Sequence, residues 1–137
     1  ISILSVSCTS KVTSSDIPKI NGYWEIEKVN FSDGTQKDYT INETFDYFEV
    51  KNNKGFRKKV TPRLDGTFLV NNDFEKIVIK QLGGTFFIYY TTSFSKWKEE
   101  LRLLSDKELI LVNDAKNEYH YKKAAPINLM ENGKEAK

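Results

Sequence analysis

A small antiparallel up-and-down β-barrel is the fold this sequence predicts, and three observations predict it. Aromatic residues are abundant, with nine Phe, seven Tyr and two Trp among 137 residues, and aromatic side chains favour strands. Turn residues recur along the chain as Asp33-Gly34, Asn52-Asn53, Asp65-Gly66, Asn71-Asn72, Gly83-Gly84, Ser105-Asp106 and Asp114 to Asn117. Such residues supply the positive φ that hairpin turns need. The connections are short, whereas a parallel crossover takes about a dozen residues or more, so the sheet is antiparallel. Many short strands with few free edges close into a barrel.

The elements follow in order. Tyr23 to Phe31 opens the barrel and Thr35 to Ile41 returns. Phe45 to Lys51 pairs with Phe56 to Arg63, and Thr67 to Val70 follows. Phe74 to Gln81, Thr85 to Thr92, Lys96 to Leu104, Glu108 to Asn113 and Glu118 to Lys123 complete the run. The stretch 94–104 has a second reading, since Phe94, Trp97, Leu101 and Leu104 share the spacing of one helical face. The strand is favoured because Glu108 to Asn113 needs a hairpin partner. It places Trp97, Leu101 and Leu103 on one face. The barrel is assigned to 20–123, after a Ser/Thr-rich linker at 9–19 and before a polar tail at 124–137 with Pro126 and Gly133.

Composition excludes several functions. Twenty-one basic against nineteen acidic residues leave a net charge of +2, too little for a nucleic-acid surface. One Cys and one His rule out a disulfide framework and Cys-rich or multi-His metal sites. Glu99 and Glu100 point to opposite faces of a strand, which spoils a shared acid–base site. His120 lies between Tyr119 and Tyr121 and falls on the outer face. The expectation is a non-enzymatic protein without metal or cofactor.

The N-terminal residues suggest an address. Ile1, Ile3, Leu4 and Val6 resemble the end of a signal-peptide apolar core, and small residues follow to Cys8. This is similar to the lipobox of bacterial lipoproteins. Val6 and Ser7 fit the pattern, while Ser5 stands where Leu is usual and Leu4 is one place early. The resemblance makes residues 1–8 a signal-peptide remnant ending in a lipidated Cys8, and so implies a membrane anchor. Stable anchoring takes more than one acyl chain, as the resemblance implies.

Gly22-x-Trp24 opens the first strand, Leu104-Ser105 precedes Leu109-x-Leu111, and a Tyr-rich final strand runs from Glu118 to Lys123. Together they resemble the lipocalin-like lipoproteins of Bacteroidota over roughly residues 20–123. The resemblance implies Trp24 at the barrel floor, with a cation from the end of the chain over its indole; Arg102 and Lys122 are the candidates. It implies ligand binding rather than a chemistry. Surface-exported lipoproteins of that group resemble one another in an acidic run after the Cys. Thr9 to Ser15 holds Lys11 and no acid, which points to the periplasmic face of the outer membrane.

Two features carry the candidate sites. In Thr85 to Thr92, Phe86, Ile88 and Tyr90 share one face and Phe87 and Tyr89 the other. The first set is expected to line the lumen with Trp24 and hold a ligand, and the second to meet a partner. Lys54, Arg57, Lys58, Lys59 and Arg63 form a basic hairpin suited to an anionic lipid surface, an acidic protein or plain solvation. The function expected is a membrane-anchored binding module for a small apolar or amphipathic ligand. The alternative is an accessory subunit of an outer-membrane protein complex, binding through the outer barrel face. An apolar cavity of about 300 Å³ or more would favour the ligand; a filled lumen with an exposed aromatic face would favour the complex.

Overall fold

The computed structural model describes residues 11–42, 44–62, 68–70 and 73–124. Cys8, Arg63, the Asp65-Gly66 and Asn71-Asn72 turns and the tail from 125 lie outside them. A 3₁₀ helix, Ser14–Ile20, precedes ten strands. These are β1 Gly22–Asn30, β2 Gln36–Asp38, β3 Phe45–Lys51, β4 Lys54–Pro62 and β5 Phe68–Val70. Then come β6 Glu75–Leu82, β7 Thr85–Thr91, β8 Lys96–Leu104, β9 Glu108–Val112 and β10 Glu118–Lys123. The strand reading of 94–104 is the observed one.

All pairings are antiparallel, and β10 pairs with β1 to close the sheet. Two positions round the barrel are each filled by two short strands. β3 and β2 pair with successive stretches of β1, Gly22 to Trp24 and Lys28 to Asn30. β6 and β5 pair likewise with Lys54 to Arg57 and Val60 to Pro62 of β4. The result is a closed eight-strand barrel. The tight hairpins are the ones the turn residues announced. Asn52 and Asn53 have φ of 55° and 66°, and Gly83 and Gly84 have 58° and 87°, the two positive angles of a type I′ turn.

One end of the barrel is plugged. Val12, Ile17 and Ile20 are buried with Trp24, which is fully enclosed. Thr13 caps the 3₁₀ helix, its backbone N–H donating to Asp16 Oδ2 at 2.9 Å. The linker expected over 9–19 therefore gives way to packed structure by Val12, because Val12, Ile17 and the following Ile20 have an open barrel end to fill. Trp24 Nε1 donates to the Ile20 carbonyl at 2.8 Å, so the polar tip of a buried indole is satisfied. The cation over that indole is Lys123, not Arg102 or Lys122. Lys123 Nζ lies 4.5 Å from the ring centroid and donates to the carbonyls of Asn21 at 2.5 Å and Lys19 at 3.2 Å. Arg102 instead holds Glu100 and Glu118 on the outer wall, and Lys122 is exposed.

Candidate binding site at the barrel mouth

Cross-strand partners share a face of the sheet, so the pairing register identifies what enters the lumen. Near the floor the inward side chains are apolar: Phe48, Val50, Ile79, Phe86, Ile88, Leu101, Leu104 and Leu109, all buried. Towards the mouth they turn polar. Asp46 pairs with Lys59, Arg57 with Glu75, and Ile88 with Glu99, bringing five ionisable side chains into the upper barrel with Tyr90, Trp97, Tyr119 and Tyr121.

These groups are tightly partnered. Tyr90 donates from Oη to Glu99 Oε1 at 2.6 Å, and its ring stacks on Trp97 with centroids 5.2 Å apart. The Arg57 guanidinium lies 4.4 Å from the Tyr90 centroid and donates from Nε to Glu75 Oε1 at 2.5 Å. Lys59 Nζ meets Asp46 Oδ1 at 2.6 Å. Among the described residues no buried side-chain polar atom lacks a partner. Burial raises the Glu99 carboxyl above its ordinary value, against the opposing pull of the Tyr90 hydroxyl and Arg57. Burial likewise pushes the Tyr90 and Tyr121 hydroxyls well up, with Asp46 adding to the effect at Tyr121. Burial opposes the charge on Arg57, but Tyr90, Glu75 and Asp46 outweigh it and keep the guanidinium protonated.

Two clefts open onto this layer. One of about 270 Å³ is lined by Arg57, Lys58, Lys59, Asp73, Phe74, Glu75 and Thr92. The other, about 180 Å³, lies at the break between β2 and β3 and reaches Trp24, Ile26, Tyr39, Asp46, Lys59, Tyr119 and Tyr121. Asn42 bridges that break, donating to Glu25 Oε2 and the Ile26 carbonyl at 2.9 Å each. Lys59 borders both clefts. Such a site can hold a small molecule by charge and aromatic contact.

The expected site residues divide. Phe86, Ile88 and Tyr90 face inward, at most 5% exposed, as does Trp24. Phe87 and Tyr89 face outward and are half-buried, with Lys98 and Lys80 over their rings at 5.7 and 5.2 Å; they do not form a bare aromatic patch. The basic hairpin does not act as one surface. Alternation turns Lys54 and Lys58 out and Arg57 and Lys59 in, and Arg57 keeps only 12% of its side chain exposed. The sequence alone did not point to Asp46 or Glu75, and it placed Glu99, Trp97 and Tyr121 on strands without bringing them to the site. The signal was charge at strand positions in register with apolar ones. His120 lies on the outer face, its Nε2 3.2 Å from Glu118 Oε1, and no cluster of metal-ligating side chains occurs among the described residues.

Neither a protein-family model nor a curated protein matches this sequence. Two solved structures do. A lipocalin-like protein from Bacteroides uniformis superposes with a TM-score of 0.50 at 14% identity, over 77% of this chain and 99% of that one. The fold is lipocalin-like. An uncharacterized protein from Bacteroides eggerthii matches with a TM-score of 0.50 at 13% identity, over 76% of this chain and 98% of that one.

Proposed function

We propose that this chain is a lipid-anchored, non-enzymatic binding protein of the bacterial envelope, taking a small amphipathic ligand at the barrel mouth. The observation that carries the reading is the layering of the lumen. Packed aliphatic and aromatic side chains occupy the lower half, which leaves the ligand the upper half. There the exposed Lys59 and the half-buried Lys58, both lining the cleft, suit an anionic head, and Phe74, 45% exposed, offers an apolar wall. The cleft is close to the lower end of ligand pockets, about 300 Å³, so the ligand is small. The two-faced strand gives the accessory-subunit alternative less support, because lysines cover its outer rings.

Decanoate is a suitable probe. Trp24 is fully enclosed, so a change in tryptophan emission on titration reports on Trp97, stacked on Tyr90 beside Arg57. Saturable binding is expected, weaker for decanol, and reduced about tenfold when Lys58 and Lys59 are both changed to Ala, a loss of about 1.4 kcal/mol. Absence of saturable binding for both probes would overturn the ligand reading. The anchor is tested separately. Mass spectrometry of native material should show acylated Cys8, and Cys8→Ala should move the folded chain to the soluble fraction after a high-salt wash. The site of anchoring proposed is the periplasmic face of the outer membrane.

A further inference from the structure

The small basic excess of the chain is unevenly placed. At the plugged end the β3–β4 hairpin carries Lys51 and Lys54, and the β6–β7 hairpin carries Lys80 and Leu82. The β8–β9 turn carries Lys107, and Lys11 precedes the 3₁₀ helix. All five lysines are exposed, and Leu82 is 53% exposed. None of the five forms an ion pair with a described residue.

Hydrogen bonds join these tips into one face. Ile79 N donates to the Asn53 carbonyl at 2.8 Å, tying the first two hairpins together. Asn21 brackets Val50, accepting from its N–H at 2.6 Å and donating to its carbonyl at 3.2 Å, which fixes the first hairpin to the end of the 3₁₀ helix. Lys123 N donates to the Lys107 carbonyl at 2.9 Å, and Lys11 Nζ lies beside Gly84. The acids on this face are few. Asp16 is engaged by Lys19 at 2.9 Å, leaving Asp106 and Glu108 beside Lys107. At the mouth, by contrast, Asp33, Asp73 and Asp114 lie in the loops among lysines.

We propose that the plugged end is a docking face for an anionic lipid bilayer, with the lysines against headgroup phosphates and Leu82 entering the headgroup layer. Lysines near an anionic leaflet are attracted over about a Debye length, roughly 10 Å at 0.1 M salt. Their aliphatic stems can lie along apolar surface while the ammonium stays in water. Tips tied to one another at one end of the barrel bring their charges towards the same surface. The mouth then points away from the membrane, free to meet a ligand. The proposal shares the membrane setting of the function proposed above, but needs neither the lipid on Cys8 nor a ligand.

The test uses the full chain carrying Cys8→Ser, so that no acyl anchor contributes, floated with vesicles. Binding is expected to phosphatidylglycerol-containing vesicles at low salt, falling as salt rises, and not to pure phosphatidylcholine. Lys51→Gln with Lys54→Gln should lower the vesicle-bound fraction constant about tenfold or more, and Leu82→Ser should lower it further. Lys96→Gln with Lys116→Gln removes the same charge at the mouth and should change binding little. Circular dichroism confirms that each variant is folded. Failure of the folded chain to bind anionic vesicles, or equal losses from the two lysine pairs, would overturn the docking face. Acylation of Cys8 and decanoate binding are measured apart, so the failure of either leaves this result standing.

Discussion

The ammonium of Lys123 lies 4.5 Å from the ring centroid of Trp24 while donating hydrogen bonds to the carbonyls of Asn21 and Lys19. One side chain from the last strand thus fastens the first strand to the segment that plugs the barrel. Trp24→Ala should cost about 3–5 kcal/mol, a large share of the roughly 5–15 kcal/mol that holds a domain together. Lys123→Met keeps the stem and removes the charge and both donors. A double-mutant cycle by urea unfolding should return a coupling of about 0.5–2 kcal/mol, the range of a partly desolvated cation–π contact. Additive costs would mean that the two residues act independently.

The faces of β7 should differ in stability but less sharply than an exposed outer face would require. Ile88 is fully buried, and Ile88→Ala should cost about 2–5 kcal/mol. Phe87 and Tyr89 are half-buried beneath Lys98 and Lys80. Changing both to Ser should cost about 1–2 kcal/mol, from two exposed cation–π contacts of about 0.5–1 kcal/mol each. Melting curves of the two variants provide the comparison.

Strand order and turns were legible because Asn52-Asn53 and Gly83-Gly84 need positive φ, and few other residues tolerate it. Facing was legible only where alternation is regular. In β8 the register shifts between Leu101 and Leu103, so Trp97, Glu99 and Leu101 point inward and then Leu104, not Leu103. That bulge produces the spacing that imitates a helical face, and Phe94, 95% exposed, is not part of it. A second bulge in β1 between Ile26 and Lys28 brings Val29 inward. The charged layer was hidden for a different reason. Asp46 and Arg57 come from the β3–β4 hairpin and Glu99 from β8, far along the chain, and only closure of the barrel sets the three side by side. Lys123 was missed because its role depends on the carbonyls it reaches at the plugged end.

Gly55 tests how closely β4 approaches β3. It is paired with Val50 and Ile77, and a Cβ at this position would overlap the Glu49 carbonyl and the Val50 backbone. Backbone cannot rotate aside as a side chain can, so Gly55→Ala should destabilise the barrel by about 1–3 kcal/mol. Gly34→Ala meets no atom within 4 Å but sits at φ 94°; its cost should arise from backbone strain alone. Urea midpoints that leave Gly55→Ala at the wild-type value would show that β3 and β4 can separate without loss.

Glu99 predicts how stability varies with pH. Its side chain is buried and accepts from Tyr90 Oη at 2.6 Å, and burial raises its proton affinity above the ordinary value of 4.5. The folded state therefore binds this proton more tightly than the unfolded state does. The associated stability is fully present below the unfolded value and is lost as pH rises through the higher folded one. Glu99→Gln keeps the shape and removes the titration. The stability of the wild type relative to this variant should fall as pH rises from about 4.5 through the folded midpoint, then level off. Arg57 opposes the shift at Glu99, so Arg57→Met should move the fall to higher pH even though it also weakens the barrel. Urea midpoints for the three proteins across this range decide the matter. A constant difference between wild type and Glu99→Gln would show that the Glu99 carboxyl titrates alike in the folded and unfolded chains, and that the mouth of the barrel is as wet as bulk water there.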